Sequence, residues 1–272
     1  MTMVEIHDLQ MELFDILRNI DFFCKQNGIA YSLFGGTLLG AVRHKGFIPW
    51  DDDLDICMTR DNYEKFILCW ENSPVDGLSL QNRETDTEWG QPFSKIRRNH
   101  STYIEYDSQR GKKNTGLFID IFPIDRGRIG LISKYCDLLE WVIYFFCIKS
   151  ITKEEKKHLW QEKAKKNYRR WFRKKLTERV KREDLPIAHM SGLAYIKRRF
   201  SPNLFDGYTE LKFENAMFPV MNNWEIYLKE KYGDYMSLPP ESERNWVHHP
   251  IVVSFDKSYD ELSEEERLAH QD

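Results

Sequence analysis

The sequence predicts an α+β fold, with a mixed-sheet core, an N-terminal helix and a mostly helical C-terminal part. Three observations carry that prediction. Apolar residues Ile6, Leu9, Leu13, Ile16/Leu17 and Ile20 recur at spacings of three and four, the mark of an amphipathic helix. Short apolar runs at 29–34, 54–58 and 116–122 are bounded by Gly, Pro and polar residues, as buried strands are. Strand-like and helical patterns alternate only in the first half of the chain, and from residue 129 the pattern turns helical. The predicted boundaries are a core over 1–128, a helical basic segment over 129–200, and a part over 201–272 that completes the core's domain.

Taken in order, the first helix covers 5–26, and Asn27-Gly28 ends it because Gly takes the left-handed cap without strain. A strand over 29–34 is broken by Gly35-Gly36-Thr37, and 38–44 can form a helical turn behind that break. Gly46 and Pro49 interrupt the chain before a second strand, Leu54-Asp55-Ile56-Cys57-Met58. Asp61 is placed to cap a helix carrying Tyr63, Phe66, Ile67 and Trp70. Residues 72–116 read as a meander with strand-like pieces near 93–96 and 102–106. A third apolar strand runs over 116–122, and Pro123 closes it. Residues 201–256 read as aromatic-rich loops and short helices, and 260–272 as a frayed acidic tail.

The 272 residues are 41% hydrophobic and 14% aromatic, enough for a sizeable core and too apolar for a disordered chain. Net charge is only −3, but fifteen Lys/Arg against six Asp/Glu fall within 149–184, so a basic segment sits on an acidic body. Cys24, Cys57, Cys69, Cys136 and Cys147 are odd in number and never spaced as CxxC. A reducing compartment is therefore expected rather than a disulfide framework or a structural zinc site. No stretch reaches the roughly 18 apolar residues that a spanning helix needs, and the first residues lack the layout of a signal peptide. A cytoplasmic protein is expected.

Chemistry concentrates in Asp51-Asp52-Asp53-Leu54-Asp55. On an extended strand, side chains two apart share a face, so Asp53 and Asp55 point together while Leu54 faces the core. Two adjacent carboxylates repel unless a cation lies between them. Mg²⁺ (or Mn²⁺) with oxygen ligands relieves that repulsion and leaves positions open for phosphate oxygens. Asp51 shares their parity if the strand starts early, and Asp52 faces away in a supporting or capping role. Asp120 is a lone carboxylate in an apolar strand, costly unless paired or metal-bound, and it reads as the third ligand. Three carboxylates can hold one or two metal ions and orient a hydroxyl for in-line displacement at phosphorus.

The turn Gly35-Gly36-Thr37 follows a strand and opens a helix, a place where backbone N–H groups can approach a phosphate. Arg43 and His44 put positive charge near the same mouth. Alternation in Lys95-Ile96-Arg97 puts Lys95 and Arg97 on one face, which suits clamping a diphosphate. Each of these cations can equally be a solvated surface charge.

The segments Gly35-Gly36-Thr37-Leu38-Leu39-Gly40-Ala41-Val42-Arg43-His44 and Phe47-Ile48-Pro49-Trp50-Asp51-Asp52-Asp53-Leu54-Asp55-Ile56 resemble the LicD family. That group comprises phosphorylcholine transferases of bacterial surface glycans, with fukutin and fukutin-related protein in the wider group. The likeness continues at Phe118-Ile119-Asp120-Ile121-Phe122-Pro123-Ile124-Asp125, at Tyr232-Gly233-Asp234-Tyr235-Met236 and at His248-His249, and spans residues 8–250. The resemblance implies a nucleotidyltransferase-type core with Asp53, Asp55 and Asp120 at the site. It also implies transfer of a phospho-alcohol, phosphocholine first, from a CDP-linked donor to a hydroxyl of a lipopolysaccharide, teichoic acid or other cell-surface glycan precursor, releasing CMP. The acceptor would be a glycan or a lipid-linked glycan. Fukutin-related protein's zinc-binding cysteines have no visible counterpart here.

Between 160 and 182, Lys/Arg interleave with Trp160, Tyr168, Trp171, Phe172 and Leu176 at helical spacing. A helix packed on the core and a helix lying on an anionic leaflet both fit. The second adds peripheral contact with the inner face of the membrane. Nucleic acid is not expected as a partner, because no nucleic-acid motif accompanies the charge. Arg244, His248 and His249 can reach the donor diphosphate or act as an acid toward leaving CMP. Two other readings compete, a nucleotidyltransferase that releases pyrophosphate and an inactive scaffold of glycan assembly.

Overall fold

The computed structural model describes residues 5–82, 84–86, 89, 93–105, 115–124, 201, 203–246, 248 and 250–268. The basic segment and its expected helix, with Cys136 and Cys147, lie outside these residues, as do His249 and 269–272.

Helix α1 (Ile6–Gln26) buries Leu9, Leu13, Ile16, Leu17 and Ile20, the stripe its spacing predicts. Full burial of each such side chain contributes about 1.5–3 kcal/mol. Gly28 follows at φ 58, the left-handed region that glycine enters at no steric cost. The expected strand at 29–34 shortens to β1 (Ser32–Leu33), while Ile29 and Tyr31 are buried as irregular chain. Helix α2 (Gly35–Arg43) starts directly at the Gly-Gly pair, earlier than expected.

Strand β2 (Asp55–Thr59) leads into α3 (Arg60–Asn72). Thr59 is the N-cap of α3 and its side chain makes no capping bond, so Asp61 is not the cap; it sits in the first turn, where a carboxylate complements the helix dipole. Strand β3 (Leu78–Gln81), unforeseen within the meander, pairs antiparallel with β4 (Ser94–Arg98). Short β5 (Thr102–Ile104) pairs with β9 (Val252–Ser254). Strand β6 (Phe118–Ile124) runs through Pro123 instead of ending before it. The last β4 partner on β6 is Ile121, so Pro123 lies where an amide on that edge is no longer needed.

The central sheet has the order β1-β2-β6-β4-β3. Strands β2 and β6 are parallel, and the other pairings are antiparallel. The α+β prediction, with a mixed sheet behind an N-terminal helix, therefore holds.

The largest departure is in 201–256. Instead of loops, residues 208–221 form a hairpin, β7 (Tyr208–Phe213) and β8 (Ala216–Met221), closed by Glu214-Asn215 with Glu214 at φ 56. A positive φ in a two-residue loop matches strand twist, and alternating Leu211, Phe213, Phe218 and Val220 carried the signal. The hairpin packs Phe213 and Phe218 on Phe14 of α1, and the Met221 N–H donates to Ser32 Oγ at 2.9 Å. Its tip locks the chain that leads into the acidic run: Glu214 N–H donates to Lys45 O, and Glu214 Oε1 accepts from Phe47 N–H. Helix α4 (Trp224–Tyr232) follows and stops at Gly233, φ 67. The expected frayed tail is ordered as far as residue 268. Ser258 and Glu261 form a capping box, and Lys257 pairs with Glu266 at 2.6 Å. Among the described residues no helix is long and apolar enough to cross a membrane.

Candidate active site

Asp55 opens β2 opposite Asp120 of β6, the two being Cα partners in the parallel register. The backbone at Asp55 is held from two sides. Its N–H donates to Thr37 Oγ1 at 2.8 Å, and its carbonyl accepts from Phe34 N–H at 3.0 Å. Asp120 N–H donates to Leu54 O at 2.9 Å. The strand begins only at Asp55, so 51–54 is irregular and the alternation argument for Asp53 does not apply. Asp53 reaches the cluster through the loop. That loop is pinned by α1, where Gln10 Nε2, almost fully buried, donates to Ile48 O and Asp51 O.

The two glycines seat carboxylates. A Cβ added to Gly35 would lie 2.5 Å from Asp55 Oδ2, and one added to Gly36 would lie 2.6 Å from Asp51 Oδ2. Gly35 also has φ 58. The Gly-Gly turn therefore draws the acids against the start of α2, and Thr37, 2% exposed, anchors Asp55.

Four half-buried carboxyls crowd together, and partial loss of water disfavours their charged forms. Burial pushes Asp51 up to about 8, with Asp53 and Asp52 adding to the rise and Lys231 opposing it. Burial likewise raises Asp53 against the pull of His248. Asp55 is raised well above the usual carboxylate range by burial, then by Asp53 and Asp120. Asp120 is raised by burial against Lys95.

Lys95 and Arg97 share a face, as their alternation requires, but both are buried. Lys95 Nζ lies 3.0 Å from Asp120 Oδ1 and 3.0 Å from the centre of the Phe118 ring. Arg97 donates to Gln81 Oε1 and Gly116 O, and burial lowers it to about 10. Arg43 donates to the carbonyls of Tyr235 and Ser237. His44 caps α2 with its ring edge on Trp50. Burial, then Arg43, lowers its pKa. These four cations thus have protein partners, and only Lys95 meets a carboxylate of the cluster.

His248 does reach the acids. Its N–H donates to Asp52 Oδ2 at 3.1 Å, and its ring nitrogens lie 3.8–3.9 Å from Asp52, Asp53 and Glu105. Asp52 also accepts from Tyr103 Oη–H at 3.2 Å. Asp52, 2% exposed, thus ties β5 and the C-terminal loop beneath the acidic run. Glu105, Tyr103, Tyr227 and Lys231 belong to this neighbourhood, and no local motif marks them because each arrives from an element distant in sequence.

An all-oxygen, multiply acidic donor set suits a hard divalent cation. Asp120 Oδ1 supports the fit: it is a buried carboxylate oxygen whose charge is met by the Lys95 ammonium at 3.0 Å without a hydrogen bond assigned to it. Among the described residues no three His, Cys, Asp or Glu side chains already stand at ligand spacing, so the fit is one of donor chemistry and charge. It has a pH signature. Without a cation, the folded chain holds more protons on these acids than the unfolded chain between pH about 4 and 8, so stability falls as pH rises through that window. The melting temperature in chelator should fall from pH 5 to pH 8, and millimolar Mg²⁺ should restore more of it at pH 8 than at pH 5. A flat profile indifferent to Mg²⁺ would contradict the fit.

Residues 28–137 match the family model described as LicD/FKTN/FKRP, nucleotidyltransferase domain. Over 266 residues, 92% of this chain and 97% of the relative, the chain is 28% identical to the lipopolysaccharide cholinephosphotransferase LicD of Haemophilus influenzae. Over 46 residues, 17% of this chain, it is 48% identical to uncharacterized proteins of Rickettsia prowazekii and Rickettsia typhi, covering 17% and 15% of them.

Proposed function

We propose that this chain, a member of the LicD family, is a metal-dependent phosphotransferase that moves phosphocholine from CDP-choline to a hydroxyl of a lipopolysaccharide-type glycan precursor and releases CMP. The observation that carries phosphotransfer is the cluster of half-buried carboxylates Asp51, Asp53, Asp55 and Asp120, with Asp55 and Asp51 drawn against the two glycines at the start of α2. Choline and lipopolysaccharide come from the name of the Haemophilus relative, whose length the chain nearly spans.

In this reading 1–128 and 201–272 form one catalytic domain, with His248 against the acids of the first part and the loop at 234–237 held by Arg43. Asp53, Asp55 and Asp120 would hold Mg²⁺ or Mn²⁺, which when bound neutralises the donor diphosphate and lowers the pKa of the acceptor hydroxyl. Thr37 fixes Asp55, Asp52 fixes His248, and the glycines leave room for both acids and donor. The acceptor oxygen forms a bond to the choline-bearing phosphorus, and the bond from that phosphorus to the bridging oxygen breaks. CMP takes the electron pair, and the acceptor proton passes to a neighbouring base, with His248 within reach of Asp53. We place the enzyme in the cytoplasm against the inner face of the membrane, where a lipid-linked acceptor is found.

The test is to incubate the chain with Mg²⁺ or Mn²⁺ and a panel of CDP-alcohols, with and without candidate glycan acceptors, and to follow CMP. CDP-choline is expected to give the fastest release. No CMP from any donor would sink the proposal. The matched domain's description favours a second reading, nucleotidyl transfer, which would release pyrophosphate instead.

A further inference from the structure

The cations foreseen for the donor diphosphate are engaged elsewhere. Arg97 is buried on Gln81 and Gly116 O, Arg43 holds two carbonyls, and Lys95 lies between Asp120 and Phe118. A different ammonium faces the Gly-Gly turn. Lys231 of α4 places Nζ 3.5 Å from the position of a Cβ on Gly35, where Asp55 Oδ2 comes within 2.5 Å. Its charge acts on both Asp51 and Asp55.

Its surroundings are built. The ammonium is half-buried among the rings of Phe34, Tyr227 and Tyr232, at 5.5, 5.7 and 4.9 Å from their centres. Tyr227 stacks on Phe34 at 4.9 Å and accepts the Gly35 N–H at 3.3 Å. Helix α4 thereby brings a cation and a phenol to a turn almost two hundred residues earlier, and Gly233 ends the helix two residues beyond the lysine.

We propose that Lys231 is a phosphate-binding residue of this site, meeting the non-bridging oxygens of the donor diphosphate across from Asp55; this rests on the reading of the acids as a metal-held phosphotransfer centre. The reason is charge balance. A divalent cation held by Asp53, Asp55 and Asp120 would offset two of their three charges, and the Lys231 ammonium beside Asp51 and Asp55 would be a second cationic group at the same mouth. Two positive groups at close range are stable together when an anion bridges them, and a diphosphate has oxygens for both. The three ring faces attract the ammonium and hold it at this mouth.

The test is calorimetric titration of inorganic pyrophosphate, and separately of CDP-choline, into the full chain with saturating Mg²⁺, for wild type, Lys231→Gln and Lys231→Arg. Lys231→Gln should weaken both ligands roughly ten- to a hundredfold, as expected for losing one charge-assisted contact. Lys231→Arg should recover most of the affinity, and the melting temperatures of the three proteins should stay close. Affinity for pyrophosphate and CDP-choline unchanged in Lys231→Gln overturns the assignment, as does failure of the wild-type chain to bind either. The two proposals separate cleanly. Binding through Lys231 without CMP release removes only the phosphocholine reading, whereas CMP release with the same KM in Lys231→Gln removes only this one.

Discussion

Asp55→Asn is expected to cut turnover by about a thousandfold or more while raising the melting temperature of the chelator-treated protein. The carboxamide keeps the shape of the side chain beneath Gly35 and the bonds its backbone makes to Thr37 and Phe34. It removes a charge that burial and the neighbouring Asp53 and Asp120 disfavour. Folding therefore improves as the reaction is lost, because the repulsion that destabilises the cation-free chain is what would bind the cation. CMP release and calorimetric melting on the same preparation measure both signs. Full turnover in Asp55→Asn would end the metal-site reading, and a lowered melting temperature would mean that Asp55 is a structural partner instead.

The second large effect is expected from Gly35→Ala. Gly35 has φ 58, where an L side chain costs about 1–2 kcal/mol, and the new methyl would stand 2.5 Å from Asp55 Oδ2. The carboxylate must move. Since displacing a reacting group by about 1 Å costs roughly a hundredfold, turnover should fall at least that far. Gly77→Ala is the control. It has φ 73 but open space around the added carbon, so it should lose comparable stability and keep its turnover. If the two variants lost turnover equally, strain rather than displacement of Asp55 would be the cause.

Much of the scaffold is legible in the sequence because its signals are local. The α1 stripe, the Gly28 stop and the apolar runs at β2 and β6 each depend on residues within one turn or one strand. The β7–β8 hairpin was equally local, with its alternation and two-residue turn, but the aromatic density of 201–256 masks it. Strand β3 carries only four residues, too few for a period to stand out. Pro123 misleads because a strand tolerates proline wherever one edge is unpaired, and pairing is a tertiary fact.

The candidate site divides in the same way. Composition and spacing alone single out the acidic run, the Gly-Gly turn and Asp120 as unusual, since charge in an apolar setting needs a reason within the sequence itself. What the run does to its neighbours depends on the folded chain. Only the parallel register brings Asp120 opposite Asp55, and only the fold reveals that the glycines make room for carboxylates and that Arg97 is buried structure. The same holds for Lys231 and His248, which reach Asp55 and Asp53 from more than a hundred and seventy residues away, and for Tyr227, which reaches Gly35. Periodicity reports which face a side chain takes on its own element. Which charges meet across elements is set by strand register and helix packing, and those follow from burying the whole core at once.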